Sequence, residues 1–155
     1  MQVEETIAHL NDLIEACKNG ELGYAEAARL VEDTRLQTVF EGYAKERAGF
    51  AHALQAEVEK LGGKPAASGT LGAALHRGWM EVKAAATLGD GRAILSACET
   101  GEDSAWTQFE HVSDSGISGE SRALVDKQWQ KIKEAIAHLQ HLKKELAEAE
   151  KAEGS

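Results

Sequence analysis

The chain has 155 residues, 43% hydrophobic and 28% charged, with a formal net charge of −9. That length bounds it to one domain, able to bury roughly two thirds of the surface its unfolded form would expose. Its acidity excludes nucleic acid and an anionic membrane face as main partners, because like charges repel over a Debye length of about 8 Å, and it leaves a metal cation or a basic partner.

The opening MQVEETIAHLND is acidic where a secretory signal is basic. No later apolar run approaches the ~18 residues of a membrane span, so the expectation is a soluble cytoplasmic protein. A single Pro in a chain rich in Ala, Glu and Lys points to an all-α domain. Five helices are expected. The first runs from about Glu4 to Glu32 on the ladder Ile7, Leu10, Ile14, Cys17, Glu21, Tyr24, Ala28, Val31, whose three-and-four spacing keeps one stripe inward. Glu21 stands on a rung where Leu is the ordinary choice. Thr34 and Gln37 have the spacing of a capping box for the second helix, which carries Leu36, Phe40, Tyr43, Arg47, Phe50, Leu54 and Leu61 on one stripe, with Glu46 on the next row. LGGKPAASG stops it.

A shorter third helix, about Thr70 to Leu88, displays Leu71, Leu75, Trp79, Val82 and Ala86. After GDG, with Asp90 as N-cap, the fourth helix covers about Gly91 to Ser113 and shows Ile94, Cys98, Gly101 or Glu102, Ala105, Phe109 and Val112. SDSGISGES is a turn. The fifth, from about Glu120, shows Leu124, Gln128, Ile132, Ala135, Leu139, Leu142 and Leu146, and fraying is expected beyond Glu145. The domain therefore covers residues 1–150, with a disordered tail at 151–155. Cys17 and Cys98 both fall on apolar ladders and read as buried small hydrophobes.

Tight turns make the first and second helices, and the fourth and fifth, antiparallel pairs. A third helix of ~18 residues spans about 27 Å, enough to return the chain to the other end of the bundle and set the fourth helix parallel to the second. This is the connectivity of one-crossover, ferritin-like bundles. Glu21 then faces Glu46 across the first hairpin, and Glu46 and Glu102 share a height, each 11 residues past the level start of its helix. Tyr24, Tyr43, Arg47, Glu99, Gln128 and Lys131 surround that level. Burying carboxylates costs several kcal/mol per ion unless they are compensated, and three arrangements compete. In one, Arg47 pairs with Glu21 and Lys131 with Glu102; in the second, Glu21, Glu46 and Glu102 hold one or two metal ions, iron or manganese suiting hard carboxylates. In the third, Glu46 or Glu102 is rotated to the surface.

With FEGYAKERAGF on the second helix and CETGEDSAW on the fourth, the chain resembles the ferritin-like superfamily. TIAHLNDLIEACKNGELGY, LQAEVEKLGG and AALHRGWMEVKAA resemble a bacterial ferritin-like group described only as a domain of unknown function, over residues 5 to about 143. The resemblance implies a ferritin-like four-helix bundle with one crossover, the crossover carrying the extra helix. Active members of the superfamily hold two metals with a Glu from each of two helices and a Glu-x-x-His from each of the others. This sequence contains no Glu-x-x-His, so only Glu21, Glu46 and Glu102 match as ligands, and no complete catalytic motif is present. His138 and His141 have metal-pair spacing, but only His138 borders the core stripe; His9, His52 and His111 fall off theirs. Trp106 and Trp129 sit beside the core rows, so the expectation is a homodimer or larger homo-oligomer using the third helix or the outer faces of the fourth and fifth. The functional expectation is a structural or stress-associated bundle with a buried polar layer, the alternative being an iron- or manganese-binding redox or storage protein.

Overall fold

The computed structural model describes residues 1–66, 84 and 90–154. Among these are four helices and no strand: α1 (Val3–Leu30), α2 (Thr34–Lys60), α3 (Gly91–Ser113) and α4 (Gly119–Gly154). The α3 and α4 of the structure are the fourth and fifth expected helices. The additional helix expected over about Thr70 to Leu88 falls, but for Ala84, outside the described residues. No described helix is long and apolar enough to cross a membrane.

Helix ends follow local chemistry. Asp33, not the expected Thr34, caps α2, its carboxylate accepting from the Arg35 and Leu36 amides at 2.8 and 3.1 Å. An anionic cap adds attraction to the positive end of the helix dipole, which a hydroxyl cannot supply. Asp90 caps α3 in the expected way, accepting from the Arg92 amide at 3.0 Å. At the far end of α2, Gly62 takes φ 87° while the amides of Gly62 and Gly63 bond back to Glu59 and Val58, the double bond pattern that closes a helix with a left-handed residue. Helix α4 continues through the charged tail to Gly154, where fraying and disorder were expected.

Contacts between helices fix the topology. Along α2 and α4, Arg35 meets Glu145, Tyr43 meets His138, Gln128 meets Phe50, and Lys60 meets Glu120, so the two run antiparallel. Arg92 with Glu150, Glu99 with Lys143, and Ser113 with Asp126 make α3 and α4 antiparallel. His9 packs on His111, which puts the start of α1 beside the end of α3. Helix α3 therefore runs parallel to α2 across the bundle diagonal, as the crossover argument requires. The centre is filled by Leu10, Leu13, Ile14, Phe40, Leu54, Ile94, Leu95, Phe109, Ile132 and Leu139, none measurably exposed. Each such side chain contributes about 1.5–3 kcal/mol by leaving water, whereas the exposed ion pairs at the helix ends contribute little.

The chain leaving α2 is strapped to α1. Asn11 donates to the Lys64 carbonyl at 3.1 Å and accepts from the Ala66 amide at 2.8 Å. Gly63 is pressed against α1 so closely that a Cβ there would meet three Ile7 carbons at 2.7 to 3.0 Å. Gly63→Ala should destabilise the protein by about 1–3 kcal/mol in urea unfolding. The loss should shrink in an Ile7→Ala background, which empties that space; strictly additive losses would contradict the contact.

Candidate functional site

The polar layer is built around the bundle diagonal. Arg47 projects from the core stripe of α2, between Phe40 and Leu54, and is 2% exposed; Glu102 on α3 is wholly buried. The two form an ion pair through Arg47 Nη2 and Glu102 Oε2. Arg47 Nη1 lies 3.4 Å from Glu46 Oε1. Buried Tyr24 lies beside Glu102 and favours its ionised form. The guanidinium carbon sits 5.1 Å from the Phe50 ring centroid and 6.0 Å from that of Tyr24, within cation–π range. Gly20, Gly23 and Gly101 are buried in the two helices facing Arg47, and side chains of minimal volume leave room for a large cation in a close-packed core.

Each expected residue has a definite place. Glu21 is half-buried, and the inward position on its turn belongs to Gly20. The polar interruption of the α1 ladder is therefore a shift of one row, and the buried carboxylate comes from Glu102 alone. Arg47 pairs with Glu102, not with Glu21, because the offset of 55 residues between α2 and α3 levels them and a long side chain reaches through the centre. Lys131, expected as the cation for Glu102, is exposed and lies 3.4 Å from Glu134. Glu46 flanks Arg47, half-buried. Gln128 reaches the Phe50 carbonyl at 3.2 Å. Glu99 turns away, accepting from Gln140 and Lys143 of α4, both at 3.0 Å. Among the described residues no trio of His, Cys, Asp and Glu gathers closely enough to hold a metal ion.

His138 was not foreseen as a polar-layer neighbour. Its Nδ1 is 2.7 Å from the Tyr43 hydroxyl, and the Tyr43 ring lies 5.3 Å from that of Tyr24, so a hydrogen-bonded pair at the surface borders the buried layer. The antiparallel register of α2 and α4 is what would have located it. His141 instead lies 2.6 Å from Glu145. Trp106 and Trp129 stack on each other at 4.7 Å and pack on the core, which accounts for two rings otherwise read as marking a partner surface.

Electrostatics follow from burial. Loss of water pushes the Glu102 carboxyl up to about 7, against the charge and hydrogen bond of Arg47 and the nearby Tyr24 hydroxyl. Burial works to lower the Arg47 guanidinium, but Glu102, Tyr24, Cys17 and Glu46 outweigh it and hold it protonated. Burial also pushes the Cys17 thiol up to about 12 and Cys98 well upward, so both are inert apolar fillers rather than nucleophiles. Glu102 Oε1, Arg47 Nε and Gln128 Oε1 are buried without a protein hydrogen-bond partner among the described residues. Such groups cost about 1–3 kcal/mol each, more when charged.

Residues 5–115 match the family described as "Domain of unknown function (DUF2383)". No curated protein matches the chain. Among solved structures it is similar to the dodecameric thioferritin described as the bacterioferritin-related protein of Bacteroides fragilis, at 16% identity, over 98% of this chain and 92% of that one, with a TM-score of 0.75. At that identity the likeness is one of fold, and the fold is a ferritin-like four-helix bundle.

The raised Glu102 carboxyl has a definite sign in stability. Folded protein holds a proton that the unfolded chain releases near 4.5, so this group's contribution is fully present below that pH and is lost as pH rises through about 7. The stability of the natural protein minus that of Glu102→Gln should fall by roughly 3 kcal/mol between pH 4.5 and 8 in urea titrations. A constant or rising difference would contradict the burial.

Proposed function

Starting from a chain that belongs to the family described as a domain of unknown function (DUF2383), we propose a structural, self-assembling ferritin-like protein whose core carboxylate is balanced by an arginine. The observation that carries this is the Arg47–Glu102 pair across the bundle diagonal. A dinuclear ferritin-like centre takes a Glu from each of two helices and a Glu-x-x-His from each of the others. The donors here do not fit it. The buried cation beside Glu102 is a guanidinium, the amide of Gln128 and not an imidazole comes from α4, and Glu21 lies off the layer.

Charge makes the same point. A guanidinium brings one positive charge to a carboxylate, which neutralises it without a metal even where, as at Glu102 Oε1 and Arg47 Nε, hydrogen-bonding positions stay unfilled. A divalent ion entering the same space would meet a fixed like charge that burial cannot screen. The reading is thus a scaffold rather than a storage or redox protein. Self-assembly is proposed because the similar solved structure is described as dodecameric and because one outer face here presents a Leu that is 67% exposed.

Metal analysis of protein purified without chelator from iron- and manganese-supplemented medium tests this. Background iron and manganese are expected, unchanged in Glu102→Gln. Near-stoichiometric metal that Glu102→Gln removes would overturn the reading in favour of a metal-binding core.

A further inference from the structure

Helix α2 carries two mid-helix glycines that its own fold does not require. A Cβ at Gly42 or at Gly49 would meet nothing within 4 Å, and neither residue has a positive φ. Glycine inside a helix costs about 1 kcal/mol relative to alanine, so each is a local loss with no return inside one chain. Both are exposed. With Lys45 they fall at i, i+3 and i+7, on one stripe of the helix.

The adjoining surface has a matching form. Glu41, Ala44 and Lys45 of α2 face Ala25, Ala28 and Arg29 of α1 across an open groove of about 550 Å³, with alanine on both walls. One turn before Ala25 on the same face of α1 stands Leu22, 67% exposed; among the described residues the other exposed large apolar side chains, Met1 and Val3 at the chain start, are less open to water. A protruding leucine and an alanine-walled recess therefore share one face. Self-complementarity of this kind is what a twofold interface needs, since each copy must supply both the knob and the hole. The charges suit it as well. The chain as a whole carries −9, but on this face Arg29 and Lys45 balance Glu26 and Glu41, Arg29 already pairing with Glu26 in its own chain, so copies meeting here do so over a face without net charge while the rest of the surface repels.

We propose that the outer face of α1 and α2 docks a second copy of this chain, Leu22 of each entering the groove of the other, with Gly42 and Gly49 letting the two backbones approach closely. This rests on the self-assembly proposed above and names the surface that carries it. Gly49→Leu fills the approach without touching the monomer core, and Leu22→Glu removes the apolar knob and sets a carboxylate against the alanine walls.

Sedimentation velocity on the full chain over a concentration series tests it. The natural protein is expected as a dimer or larger, with Leu22→Glu and Gly49→Leu each weakening association at least tenfold while helical circular dichroism stays unchanged. Gly42→Ala/Gly49→Ala is expected to raise the melting temperature of the dissociated chain, and Lys133→Glu, on the opposite face, to leave assembly as it was. If the natural protein assembles and Leu22→Glu and Gly49→Leu assemble equally well, this surface is wrong and self-assembly stands. Loss of assembly in Lys133→Glu also overturns this surface. A natural protein that stays monomeric throughout overturns both.

Discussion

One guanidinium and one carboxylate, both taken out of water, are the constraint around which this bundle is arranged. Arg47 and Glu102 belong to helices on opposite corners that share few backbone contacts, and their side chains meet in the middle. Removing either one leaves a buried charge without its counterion, which costs about 3–5 kcal/mol in comparable proteins. Together they are a weak source of stability: burial raises the Glu102 carboxyl in spite of the pairing, so desolvation outweighs attraction. What the pair supplies is level. A shift of α2 against α3 by one turn would separate the charges by about 5 Å in a medium that screens them poorly, so the register of the diagonal helices is specified by electrostatics as well as by packing.

Other features follow from accommodating that pair. The buried glycines of α1 and α3 surrender packing volume around it, Tyr24 gives Glu102 a hydroxyl, and Phe50 lends the cation an aromatic face. The apolar rungs above and below, from Phe40 to Leu54 on α2 and from Ile94 to Phe109 on α3, exclude water from it. This ferritin-like bundle thus holds a polar layer at its centre in which the two buried charges balance one another.

Much of the architecture was legible from periodicity. The ladders of all four described helices, the Asp90 cap, and the parallel relation of α2 and α3 follow from apolar spacing and from the length of the crossover. The layer was legible in height and not in azimuth. Neighbouring rows of a helix differ by one residue, so a count along the chain places Glu21 and Gly20 equally well, and packing decides for Gly20. For the same reason Arg47 was found on the core stripe, while its partner depended on which helices are diagonal, a tertiary fact. The Thr34 capping box lost to Asp33 one residue earlier, a competition between two good caps that sequence spacing does not rank. The pairing of Tyr43 with His138 links helices far apart in sequence, whose register is set only once the crossover has been made.

The most direct measurement is nitrogen-15 NMR of the Arg47 side chain at pH 8, with and without excess Mn²⁺. A buried, paired guanidinium should show slowly exchanging Nε and Nη protons, separate Nη1 and Nη2 signals that merge in Glu102→Gln, and no broadening by the paramagnetic ion. Rapidly exchanging, averaged Arg47 signals, or their selective broadening at stoichiometric Mn²⁺, would contradict an arginine-balanced core.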